Sequence, residues 1–183
     1  MSNHISNLIE TKNLLIKNSS MSECSNLQAI CSTLNDKTFI EGMVFTEDYI
    51  YKCLTEGDFP PLKNTSIDNY YLKSIYLKYP KRLIGFFDIY HGYPSPNTLW
   101  ISTFAIDKAF QNKGYGNEVI TELVKVATNN NFHSIAVAVH LKNWIALRFW
   151  IKAGFNKILD IYGDKNLSEC NLALITLEYT LRK

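Results

Sequence analysis

The segment FQNKGYGNEVI, residues 110–120, places two glycines two positions apart directly before an amphipathic run. Gly114 and Gly116 follow Gln111 and Lys113. A short glycine-containing loop that leads from a strand into a helix presents backbone N–H groups beside the positive end of the helix dipole, and together these attract an anion. Glycine lets a phosphate approach the backbone closely and adopts positive φ at little cost. Taken alone, the segment predicts either a phosphate site or a tight strand-to-helix turn.

Two common nucleotide-binding loops are excluded by the same residues. The Gly-Lys-Ser or Gly-Lys-Thr ending of a Walker loop is missing from the segment. The third glycine of the dinucleotide fingerprint is absent as well, and the expected order of strands does not fit a dinucleotide fold. The segment is therefore neither a Walker loop nor a dinucleotide-binding loop.

A second segment, NWIALRFWIKAGF, residues 143–155, predicts an apolar helix with a marked start and end. Asn143 is a favourable N-cap residue, because its side chain can accept a hydrogen bond from the first turn. Gly154 suits the left-handed position that ends many helices. The helix is expected over residues 144–153.

The framework that holds these segments follows from hydrophobic periodicity. Helices are expected at residues 22–34, 46–54, 116–129 and 144–153, with Ser22 and Thr46 as N-caps of the first two. Strands are expected at residues 12–17, 70–78, 83–90, 99–106, 134–140, 155–161 and 172–181. This order predicts a mixed α/β fold whose middle alone contains β-α-β-α units, in a single domain over residues 1–183.

Together, the two segments resemble the acetyl-CoA motifs of the Gcn5-related N-acetyltransferase (GNAT) superfamily. The [QR]xxGx[GA] motif of that family is matched by Gln111, Gly114 and Gly116. The later NxxA…GF signature is matched by Asn143, Ala146, Gly154 and Phe155. The chain is most similar to a bacterial branch with a GYP hairpin and an FW pair on the last helix, here Gly92-Tyr93-Pro94 and Phe149-Trp150.

The resemblance implies the fold and the ligand in more detail. The fold would be α/β (α+β), with a mixed central sheet of about seven strands that splays between strands four and five, flanked by about four helices. The co-substrate would be acetyl-CoA, with its pyrophosphate on the backbone N–H groups of residues 112–116 and its pantetheine arm along the open edge of strand four. The implied cofactor-binding residues are Phe104, Ala105, Ile106, Gln111, Asn112, Lys113, Gly114, Tyr115, Gly116, Asn143, Ala146, Phe149 and Trp150.

Some of these positions have simpler interpretations. Lys113 contacts a phosphate or is merely solvated, and Tyr115 lines the site or only packs against the helix. Trp150 lies near the thioester or serves core packing alone.

The implied reaction is attack of a primary amine on the thioester, which requires loss of a proton from an ammonium with a pKa of about 10. Many family members place a tyrosine on the last helix as the acid for the departing thiolate. Here Trp150 stands at that position, and indole cannot act as an acid at neutral pH. Relatives that modify protein N-termini carry a glutamate five residues before the asparagine, where this chain has Ala138. The general base is therefore unassigned by the motifs.

Two residues are candidate bases. His140 shares a sheet face with Ala138, since side chains two apart in a strand point the same way, and an imidazole suits this role. Asp88 on strand three is the second candidate. The alternatives are a surface histidine at a strand end and an exposed carboxylate on an edge. His91 and Tyr90, beside the GYP hairpin, line the acceptor cleft or are turn residues.

Composition fits a soluble globular protein, and reduced thiols in a cytoplasm are the simplest account of its four cysteines. Apolar residues make up 46% of the chain, and the net charge of +2 gives no support for a nucleic-acid partner. We expect no membrane span, and no metal because the four cysteines lack metal-site spacing. Residues 20–61 hold seven acids and two lysines, whereas residues 106–157 hold seven bases and three acids. This contrast has two interpretations. It is ordinary solvated surface, or the acidic segment forms a wall that faces a cationic acceptor and the basic segment forms a polyanion site.

The leading hypothesis is an N-acetyltransferase that moves an acetyl group to a primary amine of a small, cationic acceptor. Alternatives are a protein lysine or N-terminal acetyltransferase and a non-catalytic acyl-CoA sensor. The chain is expected to act as a monomer or a homodimer. The acceptor and the acyl-chain preference are left open.

Overall fold

A computed structural model describes residues 5–34, 40, 45–166 and 168–181. The strands are β1 Leu8–Glu10, β2 Leu14–Asn18, β3 Tyr70–Leu77, β4 Arg82–His91, β5 Thr98–Ile106, β6 Ser134–His140, β7 Lys157–Gly163 and β8 Ala173–Thr180. The helices are α1 Cys24–Ser32, α2 Tyr49–Thr55, α3 Tyr115–Asn129 and α4 Trp144–Lys152. Short 3₁₀ turns lie at Met21–Glu23, Ile67–Asn69 and Lys108–Phe110.

The described strands form one open mixed sheet in the order β1-β2-β3-β4-β5-β6-β8-β7. Its neighbours are antiparallel except for β5 and β6, which run parallel because α3 returns the chain to the same end of the sheet. Helices cover both faces of this sheet. Apolar residues of α3 and α4 pack on one face, and those of α1 and α2 pack on the other. The α/β class and the family-like sheet expected from the sequence are confirmed.

Three details differ from the sequence expectations. The sheet has eight strands rather than about seven, because the three-residue β1 pairs with β2 and was too short to predict. The first helical segment is preceded by Ser20, whose N–H donates to Glu23 at 2.9 Å, so the N-cap prediction for Ser22 was wrong. Helix α2 begins after Asp48, and Thr46 instead donates its hydroxyl to the Asp48 carboxylate at 2.7 Å.

The expected splay is confirmed between β5 and β6. Only the first halves of these strands pair, from Thr98 opposite Ser134 to Ile101 opposite Val137. Beyond Ile101, β5 continues beside β4 while β6 continues beside β8. A bulge in β5 assists the divergence. From Ile101 to Phe104, β5 advances by three residues while the facing part of β4 advances by two. Such a bulge bends and twists its strand.

Candidate functional site

The glycine-containing loop before α3 has the backbone geometry that was expected of an anion cradle, defined here as residues 111–116. Asn112 and Gly114 both have positive φ, at 59° and 86°. Gly114 occupies the N-cap position of α3, and a Cβ atom built there would meet nothing within 4 Å. The conformation, rather than crowding, therefore requires glycine at this position. The first N–H groups of a 15-residue helix lie directly behind the loop.

Gly116 has a different reason to be glycine. It lies inside the first turn of α3, and its Cβ would come within 3.1 Å of the Phe149 ring of α4. The second glycine of the motif thus permits close packing between the two helices that carry the family motifs.

The cradle is braced from both sides. The Gln111 side-chain amide donates to the Ile106 carbonyl at 2.8 Å, so this side chain shapes the loop and engages the end of β5. On the other side, Glu118 of α3 accepts hydrogen bonds from Thr11 and Asn13 in the turn between β1 and β2. Burial alone would raise the pKa of Glu118, but these hydrogen bonds hold it below its usual range. They fix the first turn of the helix against the sheet.

Two cations flank the cradle. The Nζ atom of Lys113 lies 5.1 Å from the centre of the Phe110 ring, and the Arg82 guanidinium lies 4.9 Å from the same ring. This arrangement holds positive charge beside the loop.

The divergence of β5 and β6 opens a cleft of about 610 Å³, called the splay cleft below. It is lined by Leu34, Phe45, Thr46, Tyr49, Asp58, Ser102, Thr103, Phe104, Ala105, Val137, Ala138, Val139, His140, Asn143, Ala146, Trp150 and Leu174. Six residues predicted from the sequence meet here, namely Phe104, Ala105, His140, Asn143, Ala146 and Trp150. The cradle lies at the start of α3, where Phe149 of α4 packs against Gly116.

The α4 side of the cleft is a packed aromatic wall. Phe149 stacks on Phe104 with ring centres 5.7 Å apart, and Trp150 meets Phe104 edge-on at 5.6 Å. Trp150 is only 4% exposed and also contacts Phe155. Core packing is therefore its structural role, as one of the sequence interpretations had it. Asn143 is the N-cap of α4, since its Oδ1 accepts from the Ala146 N–H at 3.0 Å.

Asp88 lies on the opposite side, beneath the floor of the cleft. It is completely buried on the internal strand β4, so the alternative interpretation of an exposed edge carboxylate was wrong. One oxygen accepts from the Thr103 N–H at 2.5 Å and the other from the Tyr70 hydroxyl at 2.9 Å. Because the Thr103 bond spans the bulge of β5, this carboxylate also holds the splay in place.

Asp58, which sequence reasoning did not single out, lines the cleft next to Asp88. Its Oδ2 accepts from the Tyr49 hydroxyl at 3.0 Å, and the same hydroxyl lies 2.7 Å from the Thr103 Oγ1. Burial raises the pKa of both aspartates, and in Asp88 the nearby Asp58 raises it further. No lysine, arginine or histidine within the described ranges forms an ion pair with either one. Only its position among the acids of residues 20–61 pointed to Asp58.

Among the other acids of that segment, those that the structure describes are absent from the cleft lining. Glu23 is buried elsewhere with Tyr76, Lys17 and Ser20, which bring its pKa down to about 2 against the raising effect of burial. Asp48 pairs with Lys52 at 2.7 Å. Asp36 and Glu41 lie outside the described residues.

The residues beside the GYP hairpin also lie away from the cleft lining. Tyr90 is buried and its hydroxyl accepts from the Ser66 N–H at 3.2 Å. The His91 Nε2 lies 3.1 Å from the Pro96 carbonyl within the hairpin.

The described residues lack the features of two other kinds of site. They contain no cluster of three or more metal-ligating side chains. They also contain no helix that is both long and apolar enough to cross a bilayer.

Comparison with known proteins adds independent information. The model of the "Acetyltransferase (GNAT) family" matches residues 32–155. A Bacillus subtilis subsp. natto (strain BEST195) protein named "Probable spermine N(1)-acetyltransferase" is 30% identical over 104 residues, which is 52% of this chain and 68% of that protein. The spermine/spermidine N(1)-acetyltransferase of Bacillus subtilis strain 168 is 29% identical over the same coverage.

Solved structures agree in fold. A GCN5-related N-acetyltransferase from Brucella melitensis superposes with a TM-score of 0.74 at 10% identity, covering 97% of this chain and 79% of its own. A Bacillus subtilis acetyltransferase in complex with CoA has a TM-score of 0.59 at 14% identity, with 93% and 99% coverage. At these identities the likeness shows the shared architecture.

The buried carboxyl predicts an unusual pH dependence of stability. Because the pKa of Asp88 is raised on folding, the folded protein keeps a proton that the unfolded chain releases above about pH 4. Stability should therefore fall as pH rises from there into the neutral range, by at most about 1.4 kcal/mol per pH unit for one proton. Asp88→Asn should flatten this slope, as measured by urea unfolding from about pH 5 to about pH 8. Equal slopes in the two proteins would contradict the assignment.

Proposed function

Because this chain belongs to the GNAT family of acetyltransferases, we propose that it transfers the acetyl group of acetyl-CoA to a primary amine of a small, cationic acceptor. The observation that carries the acceptor class is the splay cleft, whose wall includes a carboxylate, Asp58, that forms no ion pair within the described ranges. The two Bacillus subtilis relatives are named for spermine, a polycationic amine, which supports the same class.

The cofactor side of this proposal rests on the cradle and on the open edge of β5. Residues 112–116 offer backbone N–H groups and the N-terminus of α3 to a pyrophosphate, with Lys113 beside them. Phe104 and Ala105 line the cleft on the part of β5 that β6 leaves without a partner, so an extended pantetheine arm would complete this edge like a strand. The Ile106 carbonyl is already engaged by Gln111, which limits its role to closing the cradle.

The reaction requires a neutral amine, a hydrogen-bond donor for the oxyanion and a thiolate that can leave. An N–H on the splayed part of β5 supplies the donor. His140 lies at the end of β6 in the cleft lining, on the face that bears Ala136 and Ala138, and we assign it the removal of the amine proton, directly or through one water. The thiolate has a pKa of about 8.5 and leaves without a strong acid. Trp150 supports the site by packing.

A thiol-release assay with acetyl-CoA and a panel of amines tests the proposed function. Putrescine, spermidine, an amino-acid amide, an aminoglycoside and a lysine-containing peptide cover the acceptor classes. We expect CoA release with small cationic amines. Release with the peptide alone would favour the protein acetyltransferase alternative. Tight CoA binding without release for any amine would favour a non-catalytic sensor.

The cradle assignment predicts a position-specific loss of CoA affinity. Gly114→Val should weaken CoA binding about tenfold or more, since a β-branched residue strains the loop at positive φ and moves its N–H groups. Calorimetry with CoA measures the effect. Gly92→Val is the matched control, because Gly92 also has positive φ and open space but lies in the distant hairpin. Equal affinity losses in both variants would remove the cradle from the proposal.

The packing role of Trp150 predicts which substitutions the enzyme tolerates. Trp150→Phe should keep most activity, whereas Trp150→Ala should lose it together with about 3 kcal/mol or more of stability through the cavity it leaves. Turnover and urea unfolding measure the two effects. Trp144→Ala on the same helix is the control, since Trp144 is largely exposed and should cost little. A Phe variant as inactive as the Ala variant would instead indicate a role for the indole N–H.

The assignment of His140 predicts a change in the pH profile of turnover. Activity should rise with pH through the range in which imidazoles lose their proton. His140→Gln should lower turnover roughly 10²-fold and remove that acid limb, with CoA binding unchanged. His133→Gln serves as the control, because His133 is exposed before β6. If His140→Gln kept the turnover and the acid limb of the parent, the amine would lose its proton by another route.

A further inference from the structure

Asp58 and Asp88 form a pair of acids at the splay cleft, the site proposed above for acetyl transfer. Tyr49 joins Asp58 to Thr103 through hydrogen bonds of 3.0 and 2.7 Å, and Thr103 immediately precedes the strand edge assigned to the pantetheine arm. Asp58 lines the splay cleft, whereas Asp88 is sealed beneath it. The cleft thus has a carboxylate on its α2 side and His140 on its β6 side.

Among the described residues, the hydrogen-bond donors to the pair are all uncharged. Its hydrogen-bond donors are two tyrosine hydroxyls, from Tyr49 and Tyr70, and one backbone N–H, from Thr103. Burying two carboxyls together is costly unless they share a proton or acquire a cation. Burial raises the pKa of both groups, so the folded protein disfavours two bare carboxylates side by side. A bound ammonium would offset this cost.

The reacting amine is poorly suited to be that ammonium. It must become neutral before it attacks the thioester, and it stays neutral as an amide in the product. A carboxylate that used it as a counter-ion would raise its pKa and oppose the loss of the proton. A second ammonium on the same acceptor keeps its charge throughout the reaction and can remain bound to the pair.

We propose that Asp58 is a specificity-determining residue that binds a second, non-reacting ammonium of the acceptor, so that the preferred substrates are diamines and longer polyamines rather than monoamines. Asp88 is a positioning residue for this contact, because it fixes Thr103, which orients Asp58 through Tyr49. This inference rests on the proposed acetyl transfer and adds the acceptor class to it.

The test compares matched acceptors rather than a single activity. Putrescine, cadaverine and hexamethylenediamine are each paired with the monoamine of the same carbon number, and kcat/KM is measured for the parent, Asp58→Asn and Glu56→Gln. The parent should prefer the best diamine by roughly 10- to 100-fold over its monoamine. Asp58→Asn should abolish that preference by raising KM for the diamine far more than for the matched monoamine. Glu56→Gln removes an exposed charge from the same loop and should behave like the parent.

A readout without turnover separates this inference from the proposed function. Calorimetry of the same diamine binding to the CoA-saturated protein should show a loss of about tenfold or more in Asp58→Asn and an intermediate loss in Asp88→Asn. The CoA affinity of Asp58→Asn should equal that of the parent. A uniform loss for diamines and monoamines, or an unchanged diamine preference in Asp58→Asn, would overturn the inference while leaving acetyl transfer intact. Binding of CoA without acetylation of any amine would instead refute the proposed function.

Discussion

The divergence of two parallel strands is the constraint on which the rest of the site depends. Strands β5 and β6 share hydrogen bonds only as far as Ile101 and Val137, and each then follows its antiparallel neighbour. A bulge on β5, held by the bond from the Thr103 N–H to Asp88, commits the strand to this path. Divergence creates the cleft and leaves a strand edge without a β6 partner. Closing the gap would remove both at once.

The two faces of the sheet contribute different properties to this cleft. On the α3 and α4 face, Phe104, Phe149 and Trp150 form a dense aromatic contact, and Gly116 lets the two helices approach closely. Such packing resists rearrangement and suits the positioning of a cofactor. On the α1 and α2 face, Asp58 and its hydroxyl partners form a polar network that costs free energy to bury. We interpret that cost as the consequence of recognising a charged acceptor.

Sequence patterns predicted the backbone geometry of the cradle and of α4 better than the arrangement of the buried carboxyls. The cradle and the Asn143 cap depend on local backbone chemistry, in which glycine at positive φ and an asparagine before a helix leave direct marks in the sequence. The amphipathic run of α3 was equally clear from its periodicity.

The pair formed by Asp58 and Asp88 depends on contacts between distant segments, which leave no such marks. Asp58 meets Tyr49 and the bulge of β5 only in the folded chain. The sequence did not indicate that Asp88 is buried, because a single carboxylate gives the same pattern in an edge strand as in an internal strand. The N-caps at Ser22 and Thr46 were misplaced since neighbouring Ser and Asp residues are equally good caps. β1 was missed because three residues carry too little periodicity.

The crystal structure of the dead-end complex with CoA and putrescine tests the central claim most directly. The account predicts the pyrophosphate on the N–H groups of residues 112–116, the pantetheine arm along Phe104 and Ala105, and one putrescine ammonium within hydrogen-bond distance of Asp58 while the other points towards the thiol. CoA bound away from the cradle, or a strand edge of β5 left without the pantetheine arm, would contradict the assignment of the splay cleft as the site of acetyl transfer.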